Sequence, residues 1–236
     1  MKKYALCSPL LPREIREEIE RAGRTQCMEI PVCDTLPTPV NHHPDMLFFN
    51  PPNTAKTVLS KRYHAVNPHF FENFGTKNLI LDDTALEAEY PRDIAFDAIG
   101  MGDTLYCLEA YTSGAVKSQF QRTVNVKQGY AACSTLILNE TTAITADKSI
   151  AKALIKDGIT VHTVSPEGIA LPGYGCGFIG GASAVINGTA IFFGSLKSHP
   201  DGERIAEICH AVGIKPVDFP HLPLTDYGSV RYIYYN

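Results

Sequence analysis

The segment 133–164 constrains the fold most, because it predicts a complete strand–strand–helix–strand unit. Asp147 is a typical helix N-cap residue, and apolar residues follow it with the 3.6-residue period of an amphipathic helix. Gly158 is suited to end that helix, because glycine readily adopts the left-handed conformation found after helix C-termini. The three predicted strands are Ser134–Leu138, Thr142–Thr145 and Ile159–Val164.

The rest of the chain predicts repetition of this unit. Asn187-Gly188 lies between two apolar runs, which is a strong signal for a β-hairpin turn. The N-terminal segment 1–32 lacks a first strand, and the C-terminal run SVRYIYY (229–235) can supply it. Pairing of the two termini would remove exposed sheet edges. The predicted units span approximately 45–82, 95–127, 133–164, 182–219, and 227–236 together with 1–32, all within a single domain.

Composition and charge exclude several classes of function. The net charge of −4 and the pI of about 6.1 do not indicate a nucleic-acid surface. No stretch approaches 18 apolar residues, so no membrane-spanning helix is expected. Seven cysteines without zinc-type spacing indicate reduced thiols in a cytoplasmic protein, with neither a metal nor a cofactor. The oligomeric state is left open by the sequence.

Five motifs of the chain are distinctive: HPDM (43–46), YPRDIAFD (90–97), VKQGYAACS (126–134), GFIGGAS (177–183) and PLTDYGS (223–229). They resemble stretches of uncharacterised bacterial members of the pentein superfamily. The resemblance implies an α/β fold, a five-bladed α/β propeller of ββαβ units closed by pairing of the N- and C-terminal strands. The superfamily includes guanidine-modifying enzymes such as arginine deiminases, dimethylarginine dimethylaminohydrolases and amidinotransferases, and also a ribosome-binding initiation factor without catalysis.

The resemblance also implies where chemistry would occur. In the predicted unit, each third strand ends and each first strand begins at the same end of the sheet. The long connections between units therefore lie at that end, and they carry most of the polar residues. In the guanidine-modifying enzymes a cysteine attacks the guanidino carbon, a histidine handles protons, and carboxylates bind the planar cation. The candidates here are Cys133 as nucleophile and His43 as acid/base, with Asp45, Asp93, Asp226 and Lys127 as substrate-binding residues.

Each candidate also has a structural interpretation. The family enzymes carry their cysteine near the C-terminus, whereas the last cysteine of this chain is Cys209. Cys133 opens a predicted buried strand, where cysteine is commonly a small core residue. Asp93 could form a local ion pair with Arg92, and Lys127 could be a solvated loop charge. Cys176, in the glycine-rich run 171–181, is a second and less favoured thiol candidate.

Two hypotheses of function follow from these residues. The first is a hydrolase or transferase that modifies a guanidino or amidino group of a small cationic molecule through Cys133. The second is a non-catalytic pentein that binds a small cation or a macromolecular partner. A metal site built from His43, Asp45 and neighbouring aspartates is a weaker interpretation, because no metal-binding spacing supports it.

Overall fold

Three-stranded sheets repeat along residues 2–235, the part of the chain that the computed structural model describes. These residues form five such sheets, each with one antiparallel and one parallel strand pair. The predicted α/β class and the repeated strand–strand–helix–strand unit are therefore confirmed. No helix within 2–235 is long and apolar enough to cross a membrane.

The first sheet joins the two ends of the chain. Its two N-terminal strands are parallel, and the helix between them buries Ile15 and Ile19. The first strand also pairs in antiparallel fashion with the C-terminal strand Arg231–Tyr235, with Leu6 opposite Arg231. The run 229–235 thus supplies the strand that segment 1–32 lacks. The N-terminal elements are β1 (Lys2–Cys7), α1 (Arg13–Gly23) and β2 (Gln26–Glu29).

The second sheet departs from the sequence prediction at its first strand. A helical turn replaces the first half of the strand expected at 46–49, because Pro44 is pre-organised for the first position of a helix. An additional helix follows the second strand, and the Ser60 hydroxyl accepts a hydrogen bond from the Tyr63 amide at its start. The elements are α2 (Pro44–Leu47), β3 (Phe48–Phe49), β4 (Thr57–Ser60), α3 (Lys61–Val66), α4 (Pro68–Phe71) and β5 (Leu79–Asp82).

The third sheet begins later than the sequence predicted. The expected first strand started at Ala95, but the amide of Asp97 donates to the Ile94 carbonyl in a turn. The strand therefore starts at Ile99, and Asp97 precedes it. The elements are β6 (Ile99–Met101), β7 (Thr104–Cys107), α5 (Gly114–Lys117) and β8 (Arg122–Asn125).

The fourth and fifth sheets follow the predicted pattern closely. The Asp147 carboxylate accepts hydrogen bonds from the amides of Ser149 and Ile150, which confirms its capping role. Asn187 and Gly188 both have positive φ, 46° and 76°, as a tight hairpin turn requires. The elements are β9 (Thr135–Asn139), β10 (Thr142–Thr145), α6 (Lys148–Lys156), β11 (Thr160–Thr163), β12 (Ser183–Ile186), β13 (Thr189–Phe192), α7 (Gly202–Ala211) and β14 (Lys215–Val217). The last strand of the chain, β15 (Arg231–Tyr235), belongs to the first sheet.

A cavity of about 270 Å³ lies where the five sheets meet. The first strand of every unit contributes to its wall, so β3, β6, β9, β12 and β15 are the inner strands. The segments that lead into these strands therefore converge at one end of the cavity. Residues from four of them also line the wall: Ala98, Ala132, Gly180, Ser229 and Val230.

Candidate functional site

The segments before the inner strands are bonded directly to one another. The amide of Asp45 donates to the Gly228 carbonyl at 3.1 Å, and the amide of Ser229 donates to the Gly181 carbonyl at 2.9 Å. The amide of Gly181 in turn donates to the Cys133 carbonyl at 2.9 Å. These backbone bonds fix side chains that are far apart in sequence at a single buried position.

Cys133 lies at the centre of this position, between two carboxylates. Its Sγ is 3.0 Å from Oδ2 of Asp45 and 2.8 Å from Oδ2 of Asp97. The thiol residue is 3 % exposed, and both aspartates are fully buried. We call these three residues together with Asp226 the acidic cluster.

Asp97 was not among the residues that the sequence singled out. Besides the thiol, its carboxylate accepts hydrogen bonds from the amides of Ala132 at 2.5 Å and Cys133 at 3.3 Å. It thereby joins the segment before β6 to the segment before β9. The signal was present in the sequence, because a charged residue inside the apolar run IAFDAI (94–99) needs a partner when it is buried.

Asp226 and His43 form the other side of the site. The carboxylate of Asp226 accepts hydrogen bonds from the amides of Phe178 at 2.9 Å and Gly228 at 3.0 Å. The nearest oxygen of Asp226 is 3.7 Å from His43 Nδ1, which is too long for a hydrogen bond. Neither ring nitrogen of the buried His43 has a hydrogen-bond partner among the described residues.

Two glycines make room for these side chains. A Cβ atom on Gly181 would lie 2.0 Å from Oδ1 of Asp226, so the carboxylate occupies the space that any other residue would fill. Gly228 has a φ of 78°, and a Cβ there would lie 2.3 Å from the Cβ of His43. The glycines of the motifs GFIGGAS and PLTDYGS are therefore required by the close approach of the site residues.

The acidic cluster carries more acidic groups than cations. Burial raises the pKa of Asp45, and burial followed by the charge of Asp45 raises the pKa of Asp97 well above its usual value. The same two causes, in the same order, raise the pKa of Asp226 to about 8. Arg231 lies near enough to oppose the shifts of Asp45 and Asp97, but it does not cancel them.

Burial also shifts the pKa of the other two ionisable groups of the site. Burial and the surrounding carboxylates raise the pKa of the Cys133 thiol well above its ordinary value, so the protonated thiol is favoured near neutral pH. Burial and the neighbouring His42 lower the pKa of His43 to about 3, so its imidazole is neutral. The contact between His43 and Asp226 is therefore not an ion pair at neutral pH.

Asp93 lies in a separate aromatic environment near the cluster. Its Oδ2 accepts a hydrogen bond from the Tyr130 hydroxyl at 2.6 Å, while its buried Oδ1 has no partner among residues 2–235. The Tyr130 ring lies between two others, with centroids 5.3 Å from Tyr90 and 5.9 Å from Phe178. Burial and then the hydrogen bond to Asp93 raise the pKa of Tyr130, and Cys133 contributes to the same shift, so Tyr130 lies near both Asp93 and the acidic cluster.

The structure does not bring all predicted site residues together. Lys127 is exposed, and its backbone amide, at the start of the loop, donates to the Ser149 hydroxyl at 3.1 Å. The predicted ion pair between Arg92 and Asp93 is replaced, because Arg92 binds Glu87 at 3.0 Å. Cys176 is exposed in the glycine-rich run. The site therefore contains Cys133, His43, Asp45 and Asp226 of the predicted set, with Asp93 close by.

The acidic cluster offers one group of donor atoms that could hold a metal ion. Among the described residues, ligand atoms of Asp45, Asp97 and Cys133 all lie within 4.8 Å of one another. A thiolate with two carboxylates suits a borderline ion such as Zn²⁺. His43, which the sequence interpretation placed in such a site, is not part of this group. An organic cation or a metal ion would each supply the positive charge that the cluster lacks.

Solved structures similar to this chain share its fold. Agmatine deiminase from C. jejuni with substrate bound has a TM-score of 0.59 and 14% sequence identity, over 98% of this chain and 93% of that chain. A cysteine-to-serine variant of DDAH from Pseudomonas aeruginosa in complex with citrulline has a TM-score of 0.55 and 11% identity, over 93% and 92%. Both proteins belong to the pentein superfamily, so the predicted resemblance is confirmed at the level of the fold.

Sequence comparison gives a family but no activity. The sequence profile of a family of unknown function, DUF6873, matches residues 7–231. No curated protein matches the chain.

Proposed function

Because the chain belongs to the DUF6873 family and has the pentein fold, we propose that it binds a small guanidino or amidino cation and modifies it through Cys133. The observation that carries this proposal is the position of the Cys133 sulfur, 2.8 Å and 3.0 Å from two buried carboxylate oxygens. Carboxylates bind a planar amidinium in bidentate fashion, and a thiol beside them is placed to react with its carbon. The proposed reaction is hydrolysis or group transfer.

A cationic substrate would activate the thiol by electrostatics. In the free protein, the pKa of Cys133 is raised by burial and by Asp45 and Asp97. A guanidinium ion beside the two aspartates would supply the missing positive charge, which favours both ionised carboxylates and the thiolate. The thiolate would then attack the guanidino carbon, so that a sulfur–carbon bond forms and a carbon–nitrogen bond breaks, and the amine would leave with the proton that the thiol released. Only a substrate that carries its own charge would be activated in this way.

His43 is proposed to act as a proton acceptor. Its imidazole is neutral because its pKa is lowered to about 3, and both ring nitrogens are free of hydrogen-bond partners among the described residues. A neutral imidazole can accept a proton from water that cleaves the sulfur–carbon bond in a second step.

Asp93, with its unpartnered Oδ1 beside Tyr130, is proposed to bind a second polar group of the substrate. Lys127 is exposed and is proposed only as a surface contact for substrate entry.

We further propose that the five sheets close into a five-bladed propeller within a single domain. The pairing of β1 with β15 supports closure, since it joins the two termini in one sheet. Contribution of all five inner strands to one cavity also supports it. Circular permutation that joins the termini and opens the 165–181 loop should give a folded protein if this proposal is correct.

The test compares a cationic with a neutral thiol reagent of similar size. Chloroacetamidine and chloroacetamide are applied near neutral pH to a Cys176→Ser protein, since Cys176 is exposed and would react with either. We expect Cys133 to react faster with the amidine, and guanidino compounds to protect it. An unperturbed cysteine, with a pKa of about 8.5, would not discriminate between the two reagents by charge.

Two aspartate-to-asparagine variants test whether the preference for the amidine reagent depends on the buried carboxylates. Asp97→Asn should reduce the preference for the amidine, whereas Asp83→Asn, on a side chain that is 83% exposed, should leave it unchanged. Turnover is then sought by mass spectrometry with a panel of guanidino compounds, with Cys133→Ala as the inactive control. Equal rates with both reagents, or reaction only after unfolding, would contradict the proposal.

Non-catalytic binding is the second candidate, and the burial of the thiol favours it. Cys133 is only 3 % exposed, and its raised pKa disfavours the reactive thiolate in the free protein. If this candidate is correct, wild type and Cys133→Ala bind the same guanidino compound in calorimetry and neither converts it. Analysis of bound metal on the purified protein separates an organic cation from a metal ion at Asp45, Asp97 and Cys133.

A further inference from the structure

Two cysteines outside the acidic cluster lie in contact across the first sheet. The thiol of Cys7, at the end of β1, donates to the sulfur of Cys27 in β2, with 3.3 Å between the two sulfurs. Ala5 is the direct partner of Cys27 in the parallel register, so Cys7 and Cys27 are diagonal neighbours. Residues two apart on a strand point to the same face, so both thiols lie on one side of the sheet. All seven cysteines are free thiols.

The two thiols differ in their access to solvent. Cys7 is fully buried, whereas Cys27 is half-buried. Cys27 lines a surface cavity of about 420 Å³, whose wall also includes Tyr4, Glu20, Gln26, Met28, Asn73 and Phe74. Cys27 is therefore the more accessible of the two thiols to a small reagent, whereas Cys7 is fully buried.

We propose that Cys7 and Cys27 form a reversible disulfide when the protein meets a small-molecule disulfide such as oxidised glutathione. The Cys27 thiolate attacks one sulfur of the reagent, forms a mixed disulfide and releases one equivalent of the small thiol. The Cys7 thiolate then attacks the Cys27 sulfur and releases the second equivalent. Two protein thiols are oxidised, and one small disulfide is reduced to two thiols, which balances the reaction.

The order of the two steps follows from the surroundings of the thiols. Contact with Cys27, followed by burial, raises the pKa of Cys7 well above its ordinary value. Cys7 is thus protonated in the reduced protein and does not attack an external reagent. Once Cys27 is part of a mixed disulfide, its sulfur is an electrophile next to the Cys7 thiol, since the two sulfurs are 3.3 Å apart in the reduced protein.

The diagonal arrangement makes the disulfide easy to reduce. A disulfide has a sulfur–sulfur distance of about 2.05 Å and fits best when the two Cα atoms are about 5.5–6 Å apart. In the reduced protein the sulfurs of this diagonal pair are 3.3 Å apart, so the two side chains must move closer for the bond to form. Strained disulfides have higher reduction potentials than structural ones, which suits a bond that forms and breaks reversibly.

The experiment treats the folded Cys176→Ser protein with an excess of oxidised glutathione and maps the products. We expect the loss of two titratable thiols, a mass lower by two hydrogen atoms, and one cross-linked peptide pair that contains Cys7 and Cys27. A low concentration of dithiothreitol should restore both thiols. Cys209→Ser, which removes another buried cysteine, should give the same cross-link.

Variants of the pair identify each step. Cys27→Ser should give neither a cross-link nor a glutathione adduct, and Cys7→Ser should stop at a stable glutathione adduct on Cys27. Because Cys7 is buried and its variant could fail to fold, circular dichroism is recorded, and Cys7→Ala serves as the second variant. The proposal is overturned if wild type retains the adduct on Cys27 without releasing it, or if neither thiol reacts in the folded protein. Neither result bears on Cys133, so the proposed function is tested separately.

Discussion

Replacement of Asp226 by asparagine should reduce the change in the free energy of unfolding between pH 5 and pH 8. Burial raises the pKa of this carboxyl group from 3.8 to about 8. In the folded protein it therefore holds its proton up to about pH 8, whereas in the unfolded chain the proton is lost near pH 4. Its stabilising contribution is fully present below the unfolded pKa and is lost as pH rises through the folded pKa.

The magnitude follows from the interval between the two pKa values. From pH 5 to pH 8 the folded group binds a proton that the unfolded group has released, at about 1.4 kcal/mol for each pH unit. The free energy of unfolding should therefore fall by roughly 4 kcal/mol over this range because of Asp226 alone. Asparagine has no such proton. It offers only one acceptor oxygen to the amides of Phe178 and Gly228, which costs about 1–3 kcal/mol at every pH.

Urea denaturation at pH 5 and pH 8 measures the difference. We expect the Asp226→Asn protein to be less stable than wild type at pH 5, and to lose far less stability between the two pH values. Asp83→Asn makes the same chemical change on an exposed side chain, away from the buried cluster. If wild type and Asp226→Asn lose stability equally between pH 5 and pH 8, the reasoning from burial is wrong.

Two further predictions concern the local structure. Gly181→Ala should destabilise the protein by about 1–3 kcal/mol in urea denaturation, because its Cβ would lie 2.0 Å from the Asp226 carboxylate. Gly175→Ala, whose Cβ meets no atom within 4 Å, is its control, and equal effects of the two would contradict this explanation. Asp147→Ala should cost about 1 kcal/mol, because two amides at the start of α6 lose their acceptor. An unchanged urea midpoint would show that this cap does not contribute.

Local features of the fold could be predicted because they depend on neighbouring residues. The cap at Asp147, the hairpin turn at Asn187-Gly188 and the alternation of short strands with helices all appear as expected. The errors occur where a local preference competes with the strand pattern. Pro44 begins a helical turn in place of the first half of the strand expected at 46–49, and the turn from Ile94 to Asp97 delays the start of β6.

The candidate site was predicted only in part. The sequence indicated that the segments before the first strands of the units lie at the same end of the fold. Four predicted site residues do converge there: Cys133, His43, Asp45 and Asp226. Asp97 was missed, because it was assigned to a strand and not to the connection before it. Lys127 was included because it lies in a connecting segment, but its exposed position takes it away from the cluster.

By itself, the sequence determined the repeated unit and the class of fold, because residue periodicity, caps and turns are set over a few neighbouring residues. The pairing of the chain ends followed from the repeat, since 1–32 lacks a first strand and 229–235 can supply it. Only the tertiary structure decided which side chains meet. Cys133 is separated by 88 residues from Asp45 and by 36 residues from Asp97, and no local pattern encodes such contacts. The protonation of these groups was also decided by the tertiary structure, because burial removes the water that would otherwise stabilise their charged forms.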